Sequence, residues 1–184
     1  MIALSLLLLG IQAEIDRPVD LNLSLPSIAG DAPALNLADA RGNKSLVLFF
    51  FSEQCGVTFY YKSRIQQIQR DFEPQGFVFV GIRGGKRQFP NEPLKVAETN
   101  YLNMKFADDN AGKLVQQFKI GQSVTFAVID SAGVLRYQGG LDDNVSEKNA
   151  KKFYLRNALK SLAKGEAVKQ KIGPALGCAI IPIQ

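Results

Sequence analysis

Histidine does not occur anywhere in the 184 residues. Its absence removes imidazole as a general base, as a metal ligand and as a member of a catalytic triad. Cysteine is scarce as well. Cys55 and Cys178 are the only two, separated by 123 positions, so the chain carries no CxxC motif, and two thiols alone make a poor zinc site. No low-complexity tract and no internal repeat is present, which sets aside linkers and solenoids. Neither a cofactor nor a metal is called for.

What is present suits one domain with a substantial core, since 46% of the residues are hydrophobic and a chain of this length needs no disulfide merely to fold. The 22 basic and 17 acidic residues leave a formal charge of +5, a balance that weakly favours acidic surfaces or anionic lipid. The lysines are scattered and no reader motif accompanies them, so nucleic acid is not an expected partner. Gly84-Gly85-Lys86-Arg87 reads as a short basic loop, in its plainest sense a solvated turn.

The segment Met1–Ala13 is apolar and uncharged. It is too short to cross a bilayer as one helix but matches the hydrophobic region of a signal peptide, with cleavage expected after Ala13. Ile11 is bulky for such a site, and no basic residue precedes the apolar run. An exported, periplasmic or extracytoplasmic protein is the expectation, membrane-associated if the segment is retained; a buried first helix or strand is the alternative. Residues 14–34 read as an extended lead, 35–165 as the domain proper, and 166–184 as a tail carrying the second cysteine.

Within the domain, Leu35–Asp39 reads as a short strand. Ser45–Phe51 is a continuous β-branched and aromatic run of the kind buried on both faces of a sheet. From Val57 to Phe72, apolar Tyr61, Ile65, Ile68 and Phe72 recur at helical spacing, and Pro74-Gln75-Gly76 ends the helix. Phe77–Ile82 is the next buried strand, so the unit from Leu46 to Ile82 is strand–helix–strand with parallel pairing. A second helix is expected from Asn91 to Tyr101, then a weak strand over Met104–Ala107 and a short helix over Ala111–Phe118. Val124–Asp130 and Val134–Gly139 form a hairpin about Ser131-Ala132-Gly133. A last amphipathic helix spans Lys148–Lys164, burying Phe153, Leu155, Ala158, Leu159 and Leu162. The fold class is α/β, a central mixed sheet with helices on both faces. The tail from Ile172 to Ile183 is too apolar to stay in water and is expected to lie on the domain.

Cys55 stands between a buried strand and the first turn of a helix. Unpaired backbone N–H groups and the helix dipole favour negative charge there, which should lower the thiol's pKa and make it a nucleophile. Thr58, three residues on, can donate its hydroxyl to the sulfur; Lys62 and Arg64 add positive potential. A quiet, half-buried cysteine is the alternative.

The stretch Phe49–Thr58, with Gly76–Ile82 after the helix, resembles the active-site region of the bacterial redoxin and thiol–disulfide oxidoreductase family, thioredoxin-like and AhpC/TSA-related. Thr125–Gly133 resembles that family's strand and hairpin after its cis-proline loop. Leu135–Asp143 and the pair Gly177-Cys178 resemble an exported redoxin-like subgroup that ends in a glycine–cysteine pair. The resemblance implies a thioredoxin-like fold. It also implies an oxidoreductase acting on protein thiols and disulfides or on small peroxides, with Cys55 as nucleophile and Cys178 as its resolving partner. The chain departs from the pattern at three places. Thr58 stands where thioredoxin-type members have a second cysteine, Gly56 replaces a proline, and Ser123 occupies the cis-proline position. A non-proline cis bond costs about 2.5–4 kcal/mol, so the Gln122–Ser123 bond is expected to be trans. Of the peroxiredoxin pattern, Leu48 fills the proline place and only Ser52 stands in for the threonine. A non-catalytic, degenerate thioredoxin-like domain is therefore the competing expectation.

Overall fold

The computed structural model describes residues 12–28, 32–52, 55–85 and 104–181. The apolar segment expected as a leader, up to residue 11, the helix expected over Asn91–Tyr101, and Lys86-Arg87 lie outside the described residues. Strands β1 (Ser24–Leu25) and β2 (Leu35–Asn36) form a small antiparallel pair. Then follow α1 (Leu37–Arg41), β3 (Ser45–Phe51), α2 (Val57–Phe72), β4 (Phe77–Arg83), β5 (Lys105–Asp108), α3 (Lys113–Gln117), β6 (Thr125–Ile129), β7 (Leu135–Gly139) and α4 (Tyr154–Ala163). The main sheet has the order β5-β4-β3-β6-β7. β3 runs parallel to β4 and β4 to β5, whereas β6 is antiparallel to both β3 and β7. This is the mixed sheet expected, and its topology is thioredoxin-like.

Alternation along β3 divides the core in two. Val47, Phe49 and Phe51 pack with Tyr61, Ile65, Ile68 and Phe72 of α2 and Leu155, Ala158 and Leu159 of α4. Leu46, Leu48 and Phe50 face the opposite layer, with Leu37 of α1, Leu114 and Val115 of α3, and Leu21 and Leu25 of the N-terminal segment. A strand buried on both faces needs apolar residues at consecutive positions, which accounts for the unbroken Leu46–Phe51 run. β3 thereby becomes the rigid central strand from whose C-terminal end the Cys55 turn departs.

Three local expectations are corrected. Leu35–Asp39 is only two residues of strand before the chain enters α1. The Asn36 side chain accepts from the Asp39 N–H at 3.1 Å and caps the helix, and Gly42, at φ 57°, ends it. The last helix begins at Tyr154 rather than Lys148 because Asp143 Oδ1 accepts from the N–H groups of Lys151 and Lys152 at 2.8 and 3.0 Å. Those bonds hold the preceding segment out of the helix, leaving Phe153 at its mouth and 41% exposed, not buried as the periodicity suggests. Gly84 and Gly85 are buried beneath the tail instead of forming a solvated turn.

Residues 16–19 and 171–174 lie along the outer side of β7. Asp16 and Val19 donate to the carbonyls of Leu135 and Gly133 at 2.8 and 2.9 Å, and Leu135 donates to Arg17. Further along, Gln138 donates to the Lys171 carbonyl at 2.9 Å and Gly140 to that of Pro174 at 3.1 Å. The approach is tight: a Cβ on Gly139 would fall against the backbone of Gly173. Asp16 joins the two segments by accepting from Arg136 at 3.1 Å and Lys171 at 2.5 Å.

At the end of β5, Asp109 is fully buried and accepts from the Val115 N–H at 2.8 Å, with its other carboxylate oxygen unpartnered among the described residues. Burial, more than any other cause, pushes its carboxyl above the usual aspartate range, against the pull of the Val115, Leu114 and Lys113 amides. The folded state thus holds this proton more tightly than the unfolded chain. The stability it contributes is complete below the ordinary aspartate pKa and is lost as pH rises through the folded value. Asp109→Asn is expected to flatten that decline of stability with rising pH. Urea unfolding of both proteins across the pH range checks it, and an unchanged pH profile would refute the assignment.

Candidate functional site

The site is built where β3 hands over to α2. The Cys55 N–H donates to the Ser52 carbonyl at 3.1 Å, and the Thr58 N–H donates to the Cys55 carbonyl at 3.0 Å, so the cysteine is folded into the helix's opening turn. Gly56 is the N-cap and supplies no side-chain acceptor; the first turn holds no acidic residue. Among the described residues, therefore, neither a side-chain cap nor a first-turn carboxylate offsets the positive end of this 16-residue helix, which begins two residues after Cys55. Thr58 lies on that turn, and its buried hydroxyl oxygen has no hydrogen-bond partner among the described residues.

Cys178 arrives from the far end of the chain and is disulfide-bonded to Cys55, with the Cα atoms 5.5 Å apart, within the span that such a bond requires. The apolar tail does lie on the domain, though not with every side chain. Ile180 is 4% exposed while Ile172 and Ile181 remain in solvent.

The tail is held mainly through backbone. Residues 178–180 pair antiparallel with 121–123 across a Gln122–Ala179 bridge. Ser123 N–H donates to the Cys178 carbonyl at 2.8 Å, and Ile180 N–H to that of Gly121 at 3.0 Å. The Cys178 N–H lies 2.9 Å from Ser123 Oγ and 3.2 Å from Cys55 Sγ. Gly177 has to be glycine, because a Cβ there would overlap the Ser123 carbonyl. Ile180 settles over Gly84 and Val115. No cis peptide occurs among the described residues, so the Gln122–Ser123 bond is trans as expected. The loop instead carries strain one residue later, where buried, β-branched Val124 adopts φ 57°.

Of the residues singled out in the sequence, Cys55, Thr58 and Cys178 belong to one locality. Arg64 does not serve the sulfur. It is buried in an ion pair with Asp142, donates to the Asn144 and Val145 carbonyls at 3.0 and 2.5 Å, and stands 4.1 Å above the Tyr61 ring. Tyr61 has its phenol pushed up to about 12, by burial first and by the Asp142 carboxylate second. The contact of Ser123 with the tail is not legible in the sequence: serine at the cis-proline position reads there as a loss, whereas the structure gives it two hydrogen bonds to the Cys178 backbone. The one available signal was the Gly177-Cys178 pair, since a glycine just before a cysteine allows close backbone approach.

No match was found among curated proteins. Solved structures of the same fold include a hypothetical protein from Sinorhizobium meliloti 1021, at 22% identity over 94% of this chain and 96% of that one, with a TM-score of 0.78. An uncharacterized conserved protein from Geobacillus kaustophilus is 21% identical over 93% and 95% of the two chains, TM-score 0.75. A putative thiol:disulfide interchange protein DsbE from Chlorobium tepidum is 16% identical over 83% and 98%, TM-score 0.57. The family model that matches, over residues 20–138, is that of the AhpC/TSA family. It spans the Cys55 turn and the Ser123 loop but stops short of the tail. With that match covering most of the domain, from the N-terminal segment to β7, the chain belongs to the AhpC/TSA family.

Proposed function

We propose that this protein is a two-cysteine thiol–disulfide oxidoreductase in which Cys55 is the nucleophile, Cys178 resolves its product and Thr58 supports the thiolate. The observation that carries the reading is the Cys55–Cys178 disulfide at an uncapped helix N-terminus. In the reduced protein the Cys55 thiolate attacks one sulfur of a substrate disulfide. One substrate thiolate departs and a mixed disulfide forms. The Cys178 thiolate then attacks Cys55 Sγ, expels the second substrate thiolate and closes the intramolecular bond, so two electrons pass from the protein to the substrate. With a peroxide, the Cys55 thiolate attacks one oxygen, the O–O bond breaks and an alcohol or water departs, leaving Cys55 as a sulfenic acid; condensation with the Cys178 thiol then forms the disulfide and releases water. The buried Thr58 hydroxyl, which makes no hydrogen bond to the disulfide sulfur, would have to turn toward Cys55 to support its thiolate.

A polypeptide is the favoured partner, because Phe59 and Tyr60, on the opening turn of α2, are 50% and 69% exposed, and aromatic side chains are enriched at protein interfaces. The disulfide and the apolar Met1–Ala13 segment support an exported location, periplasmic or extracytoplasmic. Among the described residues no helix is long and apolar enough to cross a membrane. Membrane association would rest on a retained N-terminal segment.

The competing reading, an inert structural bridge, draws on Cys55 being only 1% exposed. Titration of the Cys55 thiolate in a Cys178→Ser variant separates the two. Catalysis requires a thiol that ionises below the free value of about 8.5, raised again in Thr58→Val. A value at or above the free one in Cys178→Ser would overturn the proposal.

A further inference from the structure

The Cys55–Cys178 bond joins the turn before α2 to a tail 123 positions away in sequence, so the place where Cys178 stops along the domain has to be set by local contacts. Ser123 contacts the Cys178 backbone at both polar atoms. Its own N–H meets the Cys178 carbonyl at 2.8 Å, and its Oγ accepts from the Cys178 N–H at 2.9 Å. The same Cys178 N–H lies 3.2 Å from Cys55 Sγ. One serine thus fixes the tail's register and aims the amide that stands beside the sulfur.

We infer that Ser123 is a positioning residue that sets the dithiol–disulfide equilibrium of Cys55 and Cys178 by clamping the resolving cysteine from both sides. The inference deepens the proposed redox function and rests on it for its biological meaning. Three observations support the clamp. Ser123 is fully buried, so its bonds to the tail do not compete with bulk water. A proline at 123 would have no N–H to offer the Cys178 carbonyl, so the serine supplies both contacts. Gly177 lies so close to the Ser123 carbonyl that no other residue fits before Cys178, which means loop and tail are matched at this point. Ser123 bonds to the Cys178 backbone and not to the reacting sulfurs, so it is not itself catalytic.

The chemistry it governs is balanced. A reducing dithiol gives two electrons and two protons to the bond, is itself oxidised to a cyclic disulfide, and leaves Cys55 and Cys178 as thiols. In the thiol form the tail loses its covalent tether and is held by the backbone bonds alone. Any hydrogen bond made better in the disulfide form then shifts the equilibrium toward oxidation.

The test is equilibration of the full chain with dithiothreitol, in wild type, Ser123→Ala and Gly177→Ala, with thiols alkylated and counted by mass spectrometry. This equilibrium can be read for a labile or an inert bond, so its outcome is separate from the Cys55 titration above. Removing one hydrogen bond is expected to lower the constant favouring the disulfide by about two- to twelve-fold in Ser123→Ala, or about 9–32 mV. Gly177→Ala should lower it by more than tenfold. In a Cys178→Ser background, where the backbone N–H of residue 178 still meets Ser123 Oγ but no disulfide holds the tail to it, Ser123→Ala should lower the melting temperature by clearly less than in the oxidised protein. A constant within twofold of wild type in Ser123→Ala overturns the clamp. So does a Ser123→Ala melting loss in the Cys178→Ser background as large as that in the oxidised protein, because the hydroxyl would then serve the fold alone. Normal closure in Gly177→Ala overturns the placement of the tail along residues 121–123.

Discussion

Cys178→Ser is expected to lower the unfolding free energy by about 4–5 kcal/mol relative to the oxidised protein. The bond spans 123 positions, and in the chain-entropy model closing a loop of that order removes this much conformational freedom from the unfolded state. Guanidinium unfolding of oxidised wild type, reduced wild type and Cys178→Ser measures it. The latter two should nearly coincide. A difference below about 1 kcal/mol between oxidised and reduced protein would mean that the folded tail is strained by the bond as much as the unfolded chain is constrained by it. The energy also has a redox meaning. Whatever the bond contributes to the fold, the fold contributes to the bond, so unfolding and reduction promote one another.

Arg64→Met should cost a comparable amount, about 3–5 kcal/mol, by leaving Asp142 as a buried charge without its partner. The two side chains are 5% and 0% exposed, so water cannot substitute for the guanidinium. Arg64 also donates to the carbonyls of Asn144 and Val145, and those acceptors would be orphaned together with the carboxylate. The double variant Arg64→Met/Asp142→Leu should recover much of the loss, because two apolar groups of similar size often replace a buried ion pair without penalty. Urea unfolding of the two single variants and the double variant closes the cycle. Additive losses would show that the pair is not the coupled unit the geometry describes.

These two expectations differ in how much of their basis was visible in the sequence. The helix from Val57 to Phe72 and strands β3 and β4 were legible because hydrophobic period and continuous apolar runs are local signals. The position of Cys55 followed from them. Pairing with Cys178 required the family resemblance and an apolar tail, since nothing local in a sequence links residues 55 and 178. Arg64–Asp142 is further from view. Arg64 lies on a helix among other polar residues, and Asp142 belongs to an acidic loop 78 positions away; each alone reads as surface. The α1 helix was missed because Leu35-Asn36-Leu37 alternates like a strand, while the cap from Asn36 to Asp39 was the deciding feature. Phe153, read as part of the same amphipathic helix as Leu155 and Leu159, is kept out of that helix by the bonds that Asp143 accepts from Lys151 and Lys152.

The position of residues 16–19 and 171–174 along β7 has a consequence for self-association. An outermost strand ordinarily offers a row of free N–H and C=O groups on which another molecule can add its own strand, and this is how folded proteins seed edge-to-edge assembly. Here the first half of that row is taken by residues 16–19 and the second by 171–174. At the opposite border, Ile28 donates to the Phe106 carbonyl at 3.1 Å and Asp108 to that of Pro26 at 2.8 Å, so β5 is covered as well. The molecule guards its own borders with segments that sequence inspection would be tempted to trim. Shortening the chain after residue 165, or trimming residues 16–19, would turn a closed surface into a template, and solubility would suffer before the core did.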